Sequence, residues 1–120
     1  MTRKEFSVYS EKCPSRNVLG GISDKWSILV ISLLSQKVYR FGELKREVGG
    51  ISPKVLTQTL QKLEKFGFLT RLSFPVLPMK VEYELTPLGR ELSHILSALT
   101  VWTESNMQQI AQAEKEFIST

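Results

Sequence analysis

The sequence predicts a mainly α-helical fold that carries one small β-hairpin, an α+β arrangement in a single compact domain. Three observations carry this. Most of the 120 residues lie in stretches whose apolar positions recur every three or four residues, the period of a helix with one buried face. Residues 68–85 instead hold two short runs rich in aromatic, aliphatic and alternating side chains, separated by prolines, which is the pattern of two paired strands. A composition of 42% apolar and 23% charged residues is that of an ordinary globular domain, large enough to bury one core.

Residues 1–12 show no periodicity and are expected to form a flexible polar arm ahead of a domain spanning 13–120. Pro14 and Ser15 open a short helix, since proline suits a first turn, with Val18, Leu19 and Ile22 along one side. Gly20-Gly21 and Ser23-Asp24 interrupt or restart it, and Ser23 or Asp24 is the expected cap of a second helix. There Trp26, Leu29, Val30 and Leu33 mark the buried face. The β-branched content of residues 28–31 would also suit a strand, but length and the cap decide for helix. Arg40-Phe41 leads into a third helix with Phe41, Leu44 and Val48 on one face. Gly49-Gly50 stops it, because glycine reaches the left-handed backbone that a helix end needs.

Ser52 as cap and Pro53 as first residue open a helix expected over 52–66. Leu56, Leu60 and Leu63 fall on one side, flanked by Thr59. Lys54, Gln58, Gln61 and Lys65 fall opposite, with Thr57 and Lys62 at the edges, and this polar side is read as free of acid. Gly67 ends the helix and a hairpin follows over about 68–85, its tip stiffened by Pro75 and Pro78, which withdraw ladder donors. Thr86-Pro87 repeats the cap-plus-proline signal and starts a last helix expected to run from 87 to about 117. Leu88, Leu92, Ile95, Leu99 and Trp102 step by four, three, four and three, a coiled-coil seam that Met107, Ile110 and Phe117 prolong. So long a helix cannot bury its whole length on so small a body. Leu92, Ile95, Leu99 and Trp102 are therefore expected to meet a second subunit.

The charge is unevenly placed. The chain carries a net +4, yet between Lys37 and Lys80 nine basic residues face three acidic ones, leaving a slight acidic excess elsewhere. A basic block that coincides with two consecutive helices and a hairpin is the footprint of a phosphate-facing surface. A capped helix with Lys, Thr and Gln on its open face, followed by a basic hairpin, is how a winged helix-turn-helix domain reads duplex DNA. On that reading Gln58 and Gln61 address adenine edges and Lys54 a guanine or a phosphate. Thr57 serves a phosphate or a thymine methyl, and the helix start at Ser52-Pro53 offers amides to a phosphate. Arg71 and Lys80 grip the backbone or minor groove from the hairpin, and Arg40, Lys45, Arg46 and Lys62 complete the set of candidates. The rival reading is a winged helix used only to bind another protein. An enzyme is not expected: His94 is the lone histidine, and no clustered metal ligands, phosphate loop or nucleophile motif is present, so neither cofactor nor metal is anticipated. No apolar run follows Met1 and none spans a bilayer, so neither a signal peptide nor a membrane partner is expected. With its single cysteine, the chain is expected in a reducing cytoplasm.

Several pieces together resemble the HxlR family of bacterial transcription regulators, winged helix-turn-helix proteins related to MarR regulators. They are Cys13-Pro14, the stretch from Gly21 to Trp26, Arg40-Phe41-Gly42-Glu43-Leu44, the stretch from Gly50 to Thr57, Phe74 to Pro78, and Val81 to Gly89, in order and covering about residues 13–105. Two places depart from the family pattern: Pro78-Met79-Lys80 at the hairpin tip and the polar Ile22-Ser23-Asp24. The resemblance implies a homodimer built from the terminal helices, a palindromic operator, and regulation that changes with a small-molecule or thiol-reactive signal. Some proteins of this type sense oxidants through a cysteine where Cys13 stands. Lys12, Arg16 and the following helix start are expected to favour its thiolate.

Overall fold

The computed structural model describes residues 5–117, so the first four residues of the expected arm and the last three of the expected domain lie outside the described residues. Helix α1 (Pro14–Ile22) starts on its proline and runs through Gly20-Gly21 without a break. The part of the arm that is described lies against it, because the Arg16 guanidinium donates to the carbonyls of Val8 and Tyr9 at 3.1 Å. Asp24, not Ser23, caps helix α2 (Lys25–Leu34), accepting from the Ser27 amide at 3.0 Å. The buried face of α2 is Ser27, Val30, Ile31 and Leu34, whereas Leu29 is 38% exposed. The expected face was therefore turned by about one position. In a helix this apolar all round, periodicity alone cannot choose the side, and packing between its neighbours does.

Strand β1 (Tyr39–Arg40) was not anticipated, because two residues carry no period. It leads directly into helix α3 (Phe41–Glu47), whose Glu43 carboxylate accepts from the Arg40 amide at 2.8 Å. Helix α4 (Pro53–Lys65) opens on Ser52, whose hydroxyl accepts from the Val55 amide at 3.1 Å. Strands β2 (Leu69–Phe74) and β3 (Lys80–Leu85) form the hairpin, and β1 adds to β3, so the sheet has three antiparallel strands in the order β1-β3-β2. Helix α5 (Pro87–Ser105) is capped by Thr86. The expected single helix to 117 stops at Asn106, and a separate helix α6 (Met107–Glu116) follows. At the break the Asn106 side-chain amide and backbone amide both donate to the Trp102 carbonyl, at 2.7 and 3.1 Å, and Asn106 leaves the helical range at φ −113° and ψ 10°. Helix α6 has no buried residue among those described.

One core joins these elements. Val30, Ile31 and Leu34 of α2 meet Leu56, Leu60 and Leu63 of α4, all at 2% exposure or less. Leu44 closes it from α3, Leu69 and Leu85 from the hairpin, and Leu96 from α5. The end of α4 is a Schellman motif. Gly67, at φ +83°, donates to the Glu64 carbonyl at 3.0 Å, and Phe68 donates to the Leu63 carbonyl at 2.9 Å. The Phe68 carbonyl then accepts from the Thr86 amide at 3.0 Å. Gly89 lies so close to that carbonyl that a Cβ there would overlap it.

Gly89→Ala should lower the urea midpoint by an amount equivalent to roughly 1–3 kcal/mol or more, since neither backbone can yield. Gly20→Ala, where nothing lies within 4 Å of the added carbon, should raise stability by about 0.5–1 kcal/mol through helix propensity. Equal effects at the two glycines would show that the close approach to Phe68 carries no cost.

Candidate nucleic-acid interface

The open face of α4 holds Lys54, Thr57, Gln58 and Gln61, all exposed. Among the first-turn amides, Pro53 has none, that of Val55 is taken by the Ser52 hydroxyl, and that of Leu56 by the Ser52 carbonyl. The Lys54 amide is thus the one of that turn left open among the described residues. Thr57 donates its hydroxyl to the Pro53 carbonyl at 2.8 Å, which leaves its oxygen as an acceptor and its methyl free.

The hairpin comes against this face. Arg71 of β2, Thr57, Gln61 and Tyr83 line a cleft of about 360 Å³, so two of the expected helix readers and one hairpin cation share a concave surface. Arg71 donates to the Ser73 hydroxyl at 3.3 Å. Glu64 lines the same cleft and is exposed. The expectation of an acid-free polar side therefore fails at its margin, because position 64 falls at the border of the buried and open faces rather than opposite the core. Lys80 lies at the base of the tip, its ammonium 3.3 Å from the Glu82 carboxylate and 5.1 Å over the Phe74 ring. The tip itself is apolar, with Leu77 fully exposed and Met79 at 72%.

The remaining cations divide. Arg40, Lys45 and Arg46 are exposed on β1 and α3, and Arg46 shares a polar groove with Lys37, Glu43 and Glu47. Lys62 turns away from the open face of α4 to meet α2. Its ammonium is 2.8 Å from Asp24 Oδ2. Partial burial pushes the Asp24 carboxyl upward, but Lys62 and the Ser27 amide and hydroxyl outweigh that and hold it below the usual aspartate value. No pairing rule in the sequence links positions 24 and 62, so this contact was not legible there.

Cys13 is partly buried ahead of α1, with its sulfur 3.1 Å from the Ser15 hydroxyl and 3.4 Å from the Ser7 amide. These hydrogen bonds, that of the Ser15 hydroxyl foremost, lower its pKa, whereas the Arg16 guanidinium is engaged by two carbonyls. The cause of the thiolate character thus differs from the cations expected. Of the four expected interface residues on α5, Leu92 packs on the core, while Ile95, Leu99 and Trp102 are 68%, 45% and 57% exposed. No single helix among the described residues is long and apolar enough to cross a membrane.

The HxlR-like helix-turn-helix family model matches residues 21–111. The HTH-type transcriptional regulator YtfH of Escherichia coli (strain K12) is 42% identical over 113 residues, covering 94% of this chain and 90% of that protein. The solved structure of the transcriptional regulator ytfH from Salmonella typhimurium superposes with a TM-score of 0.88 at 43% identity, over 93% of this chain and 100% of that one. The redox regulator HypR in its reduced form gives 0.74 at 32% identity, over 82% and 98% of the two chains.

Asp24→Asn keeps the cap and removes the charge facing Lys62. Because the folded pKa of Asp24 is depressed, its contribution is complete above the unfolded value of about 3.9 and disappears as pH falls through the folded value. Thermal melts should therefore show the variant less stable at neutral pH, with the gap closing in acid. A gap that does not change with pH would exclude the ionised pair as its source.

Proposed function

The chain belongs to the HxlR-like helix-turn-helix family, and from that premise we propose a sequence-specific regulator of transcription that binds double-stranded DNA as a homodimeric repressor in the cytoplasm. The observation that carries the reading is the surface shared by α4 and the hairpin. Lys54, Thr57, Gln58 and Gln61 stand on the open side of a well-capped helix, and Arg71 rises beside them. A helix of this width enters the major groove, glutamines meet adenine edges, and cations on either side follow the phosphates. The exposed Ile95, Leu99 and Trp102, together with an α6 that buries nothing among the described residues, supply an apolar face for a second copy. A two-fold pair of reading helices calls for a palindromic operator.

The same reading includes a chemical switch at Cys13. Its hydrogen-bonded sulfur favours thiolate, and the likeness to HypR, a redox regulator, supports a response to oxidants. Against a small disulfide, the Cys13 thiolate bonds to one sulfur, the S–S bond breaks, and the other half leaves as a thiolate that takes a proton from water. The adduct would displace Ser7 of the arm and Ser15 at the start of α1.

The first experiment is fluorescence anisotropy on the upstream duplex of the protein's own gene and on a scrambled duplex, across several salt concentrations. Wild type should prefer its own duplex with a steep salt slope. Gln58→Ala should cost about 1–3 kcal/mol on that duplex and little on the scrambled one, while Lys80→Ala weakens both alike. Equal binding of the two duplexes by wild type would sink the sequence-specific reading.

In the same assay a disulfide reagent should weaken operator binding by the wild type, reversibly with dithiothreitol, and leave Cys13→Ser unchanged. An identical response in Cys13→Ser would remove the thiol as the switch.

A further inference from the structure

A groove of about 370 Å³ lies between α2, α5 and the end of α3, away from the cleft beside α4. Leu29, Leu33 and Val101 give it an apolar wall, and Ser32, Ser35, Ser97 and Thr100 a hydroxyl floor. Gln36, Glu47 and Glu104 stand among its lining residues, which include no lysine, arginine or histidine, although the chain as a whole is basic.

The hydrogen bonds give this floor one character. Ser35 donates to the Ser32 carbonyl at 2.6 Å, and Thr100 donates to the Ser97 carbonyl at 2.9 Å. With the Ser35 proton so engaged, the 3.4 Å contact between the Ser35 and Ser97 hydroxyls is donated by Ser97. Three hydroxyl protons are thus directed into the protein and their lone pairs remain. The Ser32 hydroxyl has no partner among the described residues but is closed to solvent, so an occupant of the groove meets the oxygens of Ser35, Ser97 and Thr100. Acceptors, two carboxylates and an apolar wall define a complementary ligand: it donates hydrogen bonds, carries positive charge, and has a small apolar body.

We propose that this groove is a binding site for a small organic ammonium ion. Its place on α5 keeps it open in a dimer. At 100° per residue, Ser97, Val101 and Glu104 fall on the side of the helix opposite Ile95, Leu99 and Trp102, so a second copy seated on the latter leaves the groove uncovered. Val48 and Gly49, which also line it, lie in the turn that delivers Ser52 to the start of α4. On the regulator reading above, an occupant would bias the position of the reading helix, and by linkage DNA would change the affinity for the occupant by the same factor.

Isothermal titration of the full chain without DNA would use 2-phenylethylamine, with 2-phenylethanol and 3-phenylpropanoate as neutral and anionic counterparts. The amine should bind, the alcohol roughly tenfold more weakly or worse, and the carboxylate undetectably. Glu104→Gln, an exposed change, should weaken the amine by roughly tenfold, and Ser97→Leu should abolish binding by filling the floor. No heat with the amine, equal binding of the three probes, or an affinity unchanged in Glu104→Gln would overturn the site. A second arm repeats operator anisotropy with saturating amine, where a change of about fivefold or more is expected. Unchanged operator affinity in a protein that binds both amine and DNA would overturn the coupling. Failure to bind DNA at all would instead sink the regulator reading, with the titration still deciding the site.

Discussion

The backbone closure at Gly67-Phe68 holds α4, the hairpin and α5 in one relation. Gly67 takes a left-handed conformation that turns the chain sharply out of α4, and its own amide and that of Phe68 repair the open carbonyls of the helix end. The Phe68 and Gly67 carbonyls are then free to receive the Thr86 amide and hydroxyl, at 3.0 and 2.6 Å. Gly89 presses against the same carbonyl. The end of one helix, the first strand and the start of the next helix thus meet within a few ångströms through main-chain groups. Main-chain contacts cannot adjust by changing rotamer. A displacement of α5 must therefore move the hairpin and α4 with it, which is what a regulator needs if a signal far from its reading surface is to be felt there.

Charge serves two purposes in this chain, and magnitudes separate them. The pairs Lys37–Glu43 and Lys80–Glu82, at 3.4 and 3.3 Å, are partly exposed and of the kind that contributes about 0–1 kcal/mol. Lys80 can leave Glu82 for a phosphate with little loss. Lys62 differs in kind rather than in charge. Its partner Asp24, though 38% exposed, is also the cap of α2 and accepts from both the amide and the hydroxyl of Ser27, so the ammonium completes a cluster of hydrogen bonds that ties the start of α2 to α4. Lys62 therefore belongs to the joint between α2 and α4, although it lies within the basic block. The cations of Lys54 and Arg71, with no salt bridge among the described residues, remain for a ligand.

What could be read in the sequence was whatever local chemistry dictates. Ser52 and Thr86 announce helix starts because a hydroxyl followed by proline has few other uses, and Gly67 announces an end because few residues tolerate its backbone. The split of α4 into a leucine side and a glutamine side gave its orientation, as the burial of Leu56, Leu60 and Leu63 bears out. Illegible were the features set by partners distant in the chain. Strand β1 exists because β3 is there to pair with it. The buried side of α2 was chosen by the elements on either side of it. The ion pair of Lys62 spans 38 positions, and the break at Asn106 shows only in its backbone angles, φ −113° and ψ 10°. Glu64 was misplaced for a simpler reason: a residue at the border of two faces belongs to neither until a hairpin is laid beside it.

Helix α5 unites these observations, because each of its sides has a different neighbour. Leu92, Ser93 and Leu96 turn to the core. Ile95, Leu99 and Trp102 turn to solvent with a width of apolar surface that a lone subunit leaves wet. Ser97, Val101 and Glu104 turn to the groove beside α3. The helix is long enough to carry all three because Pro87 starts it at the hairpin and Asn106 stops it beyond the body of the domain. Its N-terminal end is locked to the end of α4 through Phe68, and its middle carries both the groove and the exposed apolar face. Pairing of two subunits through α5 would therefore set the spacing of two reading helices. A ligand beside α3 would act on the same rigid element from its opposite side. On the proposed reading, dimer geometry and effector state would then be not separate inputs to the DNA surface but two loads on one lever, with its fixed point at Gly89.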